Sequence, residues 1–380
     1  MPAMHAAKEP CATLDAQQAS PPVMQIPLLV LNFNGRKLLE ECLPSLVRAA
    51  ESSRHDCQVM IVDNSSTDDS LAFLAAEYPK LAILRRENRG LCTYNDVLAE
   101  LKSPVAVLLN NDIKLDAGSV DPLVEPLLEG KRKIQAAGCF MTAPLCWRWD
   151  GVTYEGLKTA VQWRWGLVQA TSLFKGHEEG VHRAGCTASA GAVMAVDREV
   201  FLRIGGFDPL YLPGRLEDLD FSLRGYMAGY HARYVPESVA YHLGQASFSA
   251  AFGESGCDAL ALRNTLLFQW KNLRHPWHLV RQACGLPLRL ALDIARSIRM
   301  PRDRRWALCR ALWGAWSRRR LLRVARYAPP RTTASEWAFF KRFHPAAINR
   351  GEDLDGSAAP SASRVQTAIS TNQSCNPVSV

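Results

Sequence analysis

The sequence predicts an α/β layer fold followed by a helical extension, and three observations point to it. Short, nearly pure apolar runs alternate with helix-period segments through about residue 130, the pattern of a mostly parallel sheet covered by helices. Several of these runs stop abruptly at polar or acidic residues, as in VMIVDNSSTDDS (59–70) and VAVLLNNDIKL (105–115). After about residue 258 the strand-like runs give way to helical periodicity, beginning with RNTLLFQWKNL.

The elements follow in order. Residues 1–24 are polar and rich in Ala and Pro, which reads as a loose tail. IPLLVLN (26–32) has the continuous apolar character of a buried parallel strand. Asn34 and Gly35 turn the chain into KLLEECLPSLVRAA (37–50), whose leucines share one broad helical face. A second strand over 58–62 stops at Asp63, and Ser65, Ser66 or Thr67 caps a helix over 68–77. A third strand is expected over 81–85 and a helix over about 92–101. VAVLLN (105–110) is a fourth strand, and the helix of 118–130 ends at Gly130. Residues 136–175 hold short candidate strands and four tryptophans, Trp147, Trp149, Trp163 and Trp165. A helix over 217–228 starts at an acidic motif, and 231–244 reads as a pair of short strands. The expected divisions are a tail at 1–24, a catalytic unit at 25–258 with halves meeting near 130, a basic helical extension at 259–347, and a disordered tail at 348–380.

Composition narrows the class. Apolar content of 48% and charged content of 22% are ordinary for a globular protein. Eleven scattered cysteines without a CxxC pair argue against a disulfide framework and a structural zinc site, and favour a reducing compartment. No segment reaches the roughly 18 consecutive apolar residues of a membrane span. The N-terminus lacks the apolar core of a signal peptide, so a cytoplasmic location is expected. The formal charge of +8 is uneven, because residues 271–331 hold sixteen Lys or Arg against two acids, Asp293 and Asp303.

Three acidic motifs carry the chemistry. Asp63 closes a strand, where its carboxylate could accept the imide N–H of uracil or thymine, or simply cap a turn. Asn110, Asn111 and Asp112 end a strand, and polar groups so close to a core need partners. Asp112 suits a hard divalent cation that shares its coordination with a diphosphate. In the third motif, Glu217 and Asp220 suit the helix N-terminus, while Asp218 is placed to take a proton from an acceptor hydroxyl. His242, in AYHLG, is either structural or a further metal ligand through its imidazole.

The basic segment interleaves arginine with Trp270, Trp277, Trp306, Trp313 and Trp316, and Trp306, Cys309, Trp313 and Trp316 form one helical stripe. That suits an anionic membrane surface better than nucleic acid, for which no base-reading module is visible.

These motifs resemble the large group of inverting family-2-type glycosyltransferases with a GT-A fold, and most closely a bacterial branch that includes rhamnosyltransferases. The resemblance rests on LLVLNFNG (28–35), IVDNSSTDDS (61–70), ENRGLCTYN (87–95), LLNNDI (108–113), GAVMAVDREVFLRIGGFD (191–208), EDLDFSLRGYMAGY (217–230) and YHLG (241–244). It spans roughly residues 26–270. The resemblance implies that Asn32, Asn34 and Asp63 hold the nucleobase, and that Asn88, Asn95 and Asn111 lie around the diphosphate and sugar. It implies Asp112 and His242 as ligands of Mg²⁺ or Mn²⁺, with Asp218 as the catalytic base. Gly191 and Ala192 resemble the loop that shapes the sugar pocket. It further implies a dTDP- or UDP-linked sugar donor, rhamnose first, and a glycan or lipid-linked glycan acceptor. Peripheral attachment to the inner face of the plasma membrane, and a homodimer, are the associated expectations. Tyr94 departs by its bulk at a helix start near the donor, and Arg215 adds a cation beside the expected base. A nucleotidyltransferase lacks support because LNFNGRKLL has no Gly-rich basic loop. A decayed sugar- or membrane-binding scaffold is the non-catalytic alternative.

Overall fold

The first strands pair in the order that hydrophobic burial demands. In a computed structural model that describes residues 23–132, 138–244, 246–297, 299, 305–323 and 333–351, strand β1 (Gln25–Asn32) is followed by α1 (Arg36–Glu51), β2 (Asp56–Asp63), α2 (Ser70–Glu77), β3 (Ala82–Arg85), α3 (Thr93–Glu100) and β4 (Val105–Asn110). The apolar runs of β1 and β4 are buried on both faces, as parallel strands between helices must be. Next come β5 (Ile113–Leu115), α4 (Val120–Arg132), β6 (Cys139–Arg148), β7 (Tyr154–Gly156), β8 (Ala160–Arg164), β9 (Leu167–Thr171), β10 (Gly185–Cys186) and β11 (Val193–Asp197). The chain continues through α5 (Arg198–Arg203), α6 (Glu217–Met227), β12 (His231–His242), α7 (Ala246–Asn272), α8 (Pro276–Ser297), α9 (Ala307–Ser317), α10 (Thr333–Arg342) and α11 (Pro345–Arg350).

The sheet runs β10-β12-β6-β11-β4-β1-β2-β3, with β5 paired to β12 and β7 to β6. Strand β11 lies antiparallel to both its neighbours and β10 antiparallel to β12. The other six strands of that path share one direction, so the expected mostly parallel sheet is present. Register then fixes the site. Asn32 pairs with Asp63, and Leu31 with Asn110, so the C-terminal ends of β1, β2 and β4 stand level. Such a rim is where α/β sheets bind ligands.

Four details depart from the sequence reading. Helix α2 begins at Ser70, and its N-cap Asp69 makes no side-chain cap bond. Ser66 instead accepts from Asn32 Nδ2 and Asn34 N, both at 3.0 Å. Gly130 does not end α4, which runs on to Arg132. The expected strand pair at 231–244 is one twelve-residue strand, interrupted by a register shift between Val235 and Val239.

The expected division at 258 falls inside α7, and the one near 130 falls inside α4. Residues 348–350, assigned from sequence to the tail, belong to α11. The rest of that tail from 352, and residues 1–22, lie outside the described residues.

Three buried apolar clusters hold these layers. One lies under α1 and α4, built on Leu28, Val30, Leu43 and Leu123. The opposite face of the sheet packs Leu29, Met194, Phe201 and Phe221. The third joins the β8–β9 hairpin to the C-terminal helices through Val168, Leu219, Phe268, Leu308 and Phe339. The extension therefore shares a core with the acidic-motif helix α6. Among the described residues no helix is long and apolar enough to cross a membrane.

Candidate active site

A cavity of about 700 Å³ opens over the rim of β1 and β4. Its walls come from the strand ends, the β8–β9 hairpin, the loop before α6, and α7. Asn88, Asn111, Asp112, Asp218 and His242 all line it.

Asp112 and His242 meet because β5 pairs with the end of β12, setting His242 opposite Ile113. His242 Nε2 lies 3.3 Å from Asp112 Oδ2, and its Nδ1 lies 3.5 Å from Glu155 Oε1. Burial opposes a charge on the imidazole, but the two flanking carboxylates outweigh it and raise His242 to about 9. The same pairing keeps Glu155 below its ordinary value. Asp112 Oδ1 is buried without a hydrogen-bond partner. An orphaned carboxylate oxygen beside an imidazole fits a divalent cation that draws its remaining ligands from diphosphate and water. Among the described residues no cluster of three or more His, Cys, Asp or Glu could hold a metal unaided.

Asp218 stands in the first turn of α6, across the cavity. Its Oδ2 accepts from Ser189 Oγ and from the Gly191 amide at 3.2 Å. Those partners aim the carboxylate at the cavity from the Gly191–Ala192 loop singled out in the sequence. The loop before α6 is strained, because Arg215 and Leu216 hold φ of 83° and 72° without being glycine. Buried Asn264 of α7 sustains that shape, since its Nδ2 donates to the carbonyls of Tyr211 at 2.6 Å, Gly214 at 2.7 Å and Arg215 at 2.9 Å. Arg263 and Arg318 each donate to the Leu212 carbonyl at 2.7 Å. Arg215 lines the cavity beside the base.

Other expected ligands make hydrogen bonds within the frame. Asp63 is fully buried, does not line the cavity, and accepts from Asn32 Nδ2 at 3.3 Å and the Ser66 amide at 3.1 Å. These bonds brace the turn at the end of β2. Asn32 Oδ1 accepts from Asn111 Nδ2 at 2.9 Å, so Asn32 is a buried strut beneath Asn111. Asn34 Oδ1 accepts from the Thr67 amide at 2.7 Å. Asn95 clips the Phe207 backbone in both directions, at 2.8 and 2.9 Å. This clip explains the glycine of GGFD: Gly206 has φ of 60°, and a Cβ there would lie 2.3 Å from Asn95 Oδ1. Tyr94 does not approach the cavity; it is buried with its hydroxyl donating to carbonyls of β1 and β4.

Sequence reasoning passed over Asn64 and read Glu217 only as a helix-start acid. Asn64 is buried and lines the cavity, with Oδ1 lacking a hydrogen-bond partner. Its position directly after Asp63, at a strand end, was the available signal. Glu217 also lines the cavity, and its buried Oε2 has no hydrogen-bond partner. Burial, reinforced by the charge of Asp218, raises Glu217 to about 8. A carboxyl raised on folding stays protonated while the unfolded chain ionises. Its contribution to stability therefore falls as pH rises from the ordinary carboxylate range towards 8. Glu217→Gln should raise the melting temperature relative to the unsubstituted chain, with the gap widening from pH 5 to pH 8. A gap that stays constant with pH would contradict the buried, protonated Glu217.

Residues 28–166 match the sequence profile described as Glycosyl transferase family 2. This part of the chain is similar to that family. The family-2 segment thus contains β1 to β8 and ends before Asp218 and His242. Over 201 residues the chain is 23% identical to "Putative polypeptide N-acetylgalactosaminyltransferase 10" of Drosophila melanogaster, covering 50% of this chain and 31% of that protein. It is 21% identical to "Polypeptide N-acetylgalactosaminyltransferase 5" of Rattus norvegicus, covering 49% and 21%. The chain thus spans less than a third of either relative. Among solved structures, GalNAc-T7 with UDP, GalNAc and Mn²⁺ aligns at 19% identity and a TM-score of 0.48, covering 66% of this chain and 49% of that one. The mannosyltransferase PcManGT of Pyrobaculum calidifontis, with GDP-Man and Mn²⁺, aligns at 17% identity and a TM-score of 0.44, covering 87% and 84%. The matched segment supplies β1 to β7 of the mixed α/β sheet, β10, β11 and β12 complete it, and the helices that follow close the cavity.

Proposed function

We propose that the chain is an inverting glycosyltransferase that moves a sugar from a nucleoside-diphosphate donor to an acceptor hydroxyl. The observation that carries this reading is the convergence of Asp112, His242 and Asp218 on one cavity at the rim of the sheet. The nucleotide would lie against Asn64, Asn88 and the ends of β1 and β4. Asp112 and His242 would hold Mg²⁺ or Mn²⁺, which supplies charge neutralisation for a departing diphosphate. Asp218 accepts the acceptor hydroxyl proton, and that oxygen forms a bond to the anomeric carbon as the bond to diphosphate breaks. Ser189 and Gly191 hold the carboxylate for that transfer.

The donor in this reading is dTDP- or UDP-linked, with rhamnose first because of the motif resemblance. The acceptor is a glycan, or a glycan carried on a lipid. A lipid-linked acceptor puts the enzyme at the inner face of the plasma membrane as a peripheral protein, where the basic segment 271–331 would act.

Nucleotide release from thymidine-, uridine- and guanosine-diphosphate sugars, with Mg²⁺, Mn²⁺ or chelator, tests the reading. Metal-dependent turnover of one donor is expected, and Asp112→Asn should lower it by about 10²-fold or more by removing a charged ligand. Donor binding without turnover would point to a missing acceptor. Neither binding nor turnover would favour the sugar- or membrane-binding scaffold.

A further inference from the structure

Helix α8 has two unlike faces. Its inner face carries buried His278 and packs Leu286 and Leu290 into the third cluster. Midway, Gly285 meets Gly166 of the β8–β9 hairpin, where a Cβ on Gly285 would lie 2.3 Å from the Gly166 nitrogen. No side chain fits between them, so helix and hairpin are clamped backbone to backbone.

The outer face is apolar but exposed. Trp277 is 49% exposed, Val280 49%, Leu288 50% and Ile294 39%, with exposed Cys284 among them. Trp277, Val280, Cys284 and Leu288 are spaced three and four residues apart, the repeat of one helical stripe, and Ile294 lies at its edge. Trp165, at the hairpin tip beside Gly285, is 48% exposed. A surface helix normally turns such a stripe inward, so an outward one marks a docking face. Arg281 stands over the Trp277 ring at 5.5 Å. Asp293, the helix's one acid, is engaged elsewhere, accepting from the Leu308 amide at 3.1 Å.

We propose that this face of α8, with Trp165 beside it, docks on the surface of an anionic lipid bilayer. Charge decides between occupants. A second copy of this chain would bring two segments of sixteen basic and two acidic residues together, and like charges repel. A bilayer bearing anionic headgroups attracts the same segment while its acyl boundary accepts the apolar stripe. Tryptophan favours that boundary because its ring is apolar and its N–H polar. The hairpin clamped to α8 supplies Val168 to Ser172 to the cavity wall. Docking therefore holds the cavity beside the membrane. That consequence rests on the sugar-transfer reading, whereas the docking itself does not.

The full-length protein would be sedimented with phosphatidylcholine vesicles, with and without phosphatidylglycerol, at low and high salt. Binding to the anionic vesicles is expected, weakened by salt. The Val280→Glu/Leu288→Glu variant should bind about tenfold less, or weaker still, as buried apolar area is lost and charge repulsion is added. Trp277→Ala is a milder second variant, and circular dichroism melts confirm that both are folded. No binding to anionic vesicles, or equal binding by both variants, would overturn the proposal. So would a dimer that the stripe variants convert to monomer. Soluble donor binding, measured alongside, should be unchanged in the variants. Its absence from the unsubstituted chain would count against sugar transfer and leave docking standing.

Discussion

Asp218→Asn should reduce acceptor-dependent transfer by about 10²- to 10⁴-fold, the usual worth of a positioned general base. The amide keeps the size of the carboxylate, and its oxygen can still accept from the Gly191 amide, which now lies 3.2 Å from Oδ2. Folding should therefore survive the change, and a thermal melt beside the kinetic assay checks that. Donor affinity should change by no more than about twofold, because the lost interaction belongs to the reacting acceptor rather than the bound nucleotide. Turnover close to that of the unsubstituted enzyme would remove Asp218 from the chemistry. Donor binding lost in parallel with turnover would instead make it part of the donor site.

Asp220→Asn should destabilise the fold by about 3–5 kcal/mol, the range for breaking one partner out of a buried ion pair. Asp220 is fully buried, one turn of helix from the cavity. It accepts from Lys271 Nζ at 2.7 Å, Arg224 Nε at 2.7 Å, Asn272 Nδ2 at 2.8 Å and the Tyr211 hydroxyl at 2.8 Å. Lys271 also reaches Asp208 at 2.6 Å. Two acids and two cations thus balance, and neutralising one acid leaves a buried cation uncompensated. Burial alone would raise the Asp220 carboxyl, but Lys271 and Arg224 hold it well below its ordinary value. A depressed acid stabilises the fold above its unfolded value, and that stability is lost as pH falls through the folded one. The variant should therefore lose most stability near neutrality and converge with the unsubstituted chain in strong acid. Adding Lys271→Met to the variant should recover part of the loss by removing the stranded cation. Urea unfolding across pH measures all three chains. A change below about 1 kcal/mol would mean that the cluster is solvated rather than buried, as exposed ion pairs are.

Glu217 and Asp220, three residues apart on one helix, show what the sequence conveys and what it hides. Both read as helix-start acids, yet one has a buried Oε2 without a hydrogen-bond partner and is raised, while the other is held by cations and depressed. Arg224, one turn along the same helix, supplies one of those cations, and Lys271 of α7, some fifty residues later, supplies the other, which no local pattern encodes. Strands β1 and β4 were legible because burial on both faces writes an unbroken apolar run, while β2 and the half-exposed edge strand β3 showed as shorter apolar runs. Strand β5 was not, being three residues long and directly after the polar Asn110–Asp112 run. Its absence from the sequence reading hid why His242 reaches Asp112. Asn95 was singled out through the family resemblance alone, and its hydrogen-bond partner Phe207 lies 112 positions away, beyond any local pattern. Asp112 drew notice because polar groups so close to a core need partners, and Asp218 because it stands where a loop enters a helix; both line the cavity.

Asn264 lies almost a hundred residues beyond the segment that matches the family, yet its three hydrogen bonds set the bend from which Asp218 projects. The proposed reactive centre is thus not a portable module. A lineage that exchanged its C-terminal helices for new ones would have to reinvent an anchor for this bend before it could inherit the chemistry.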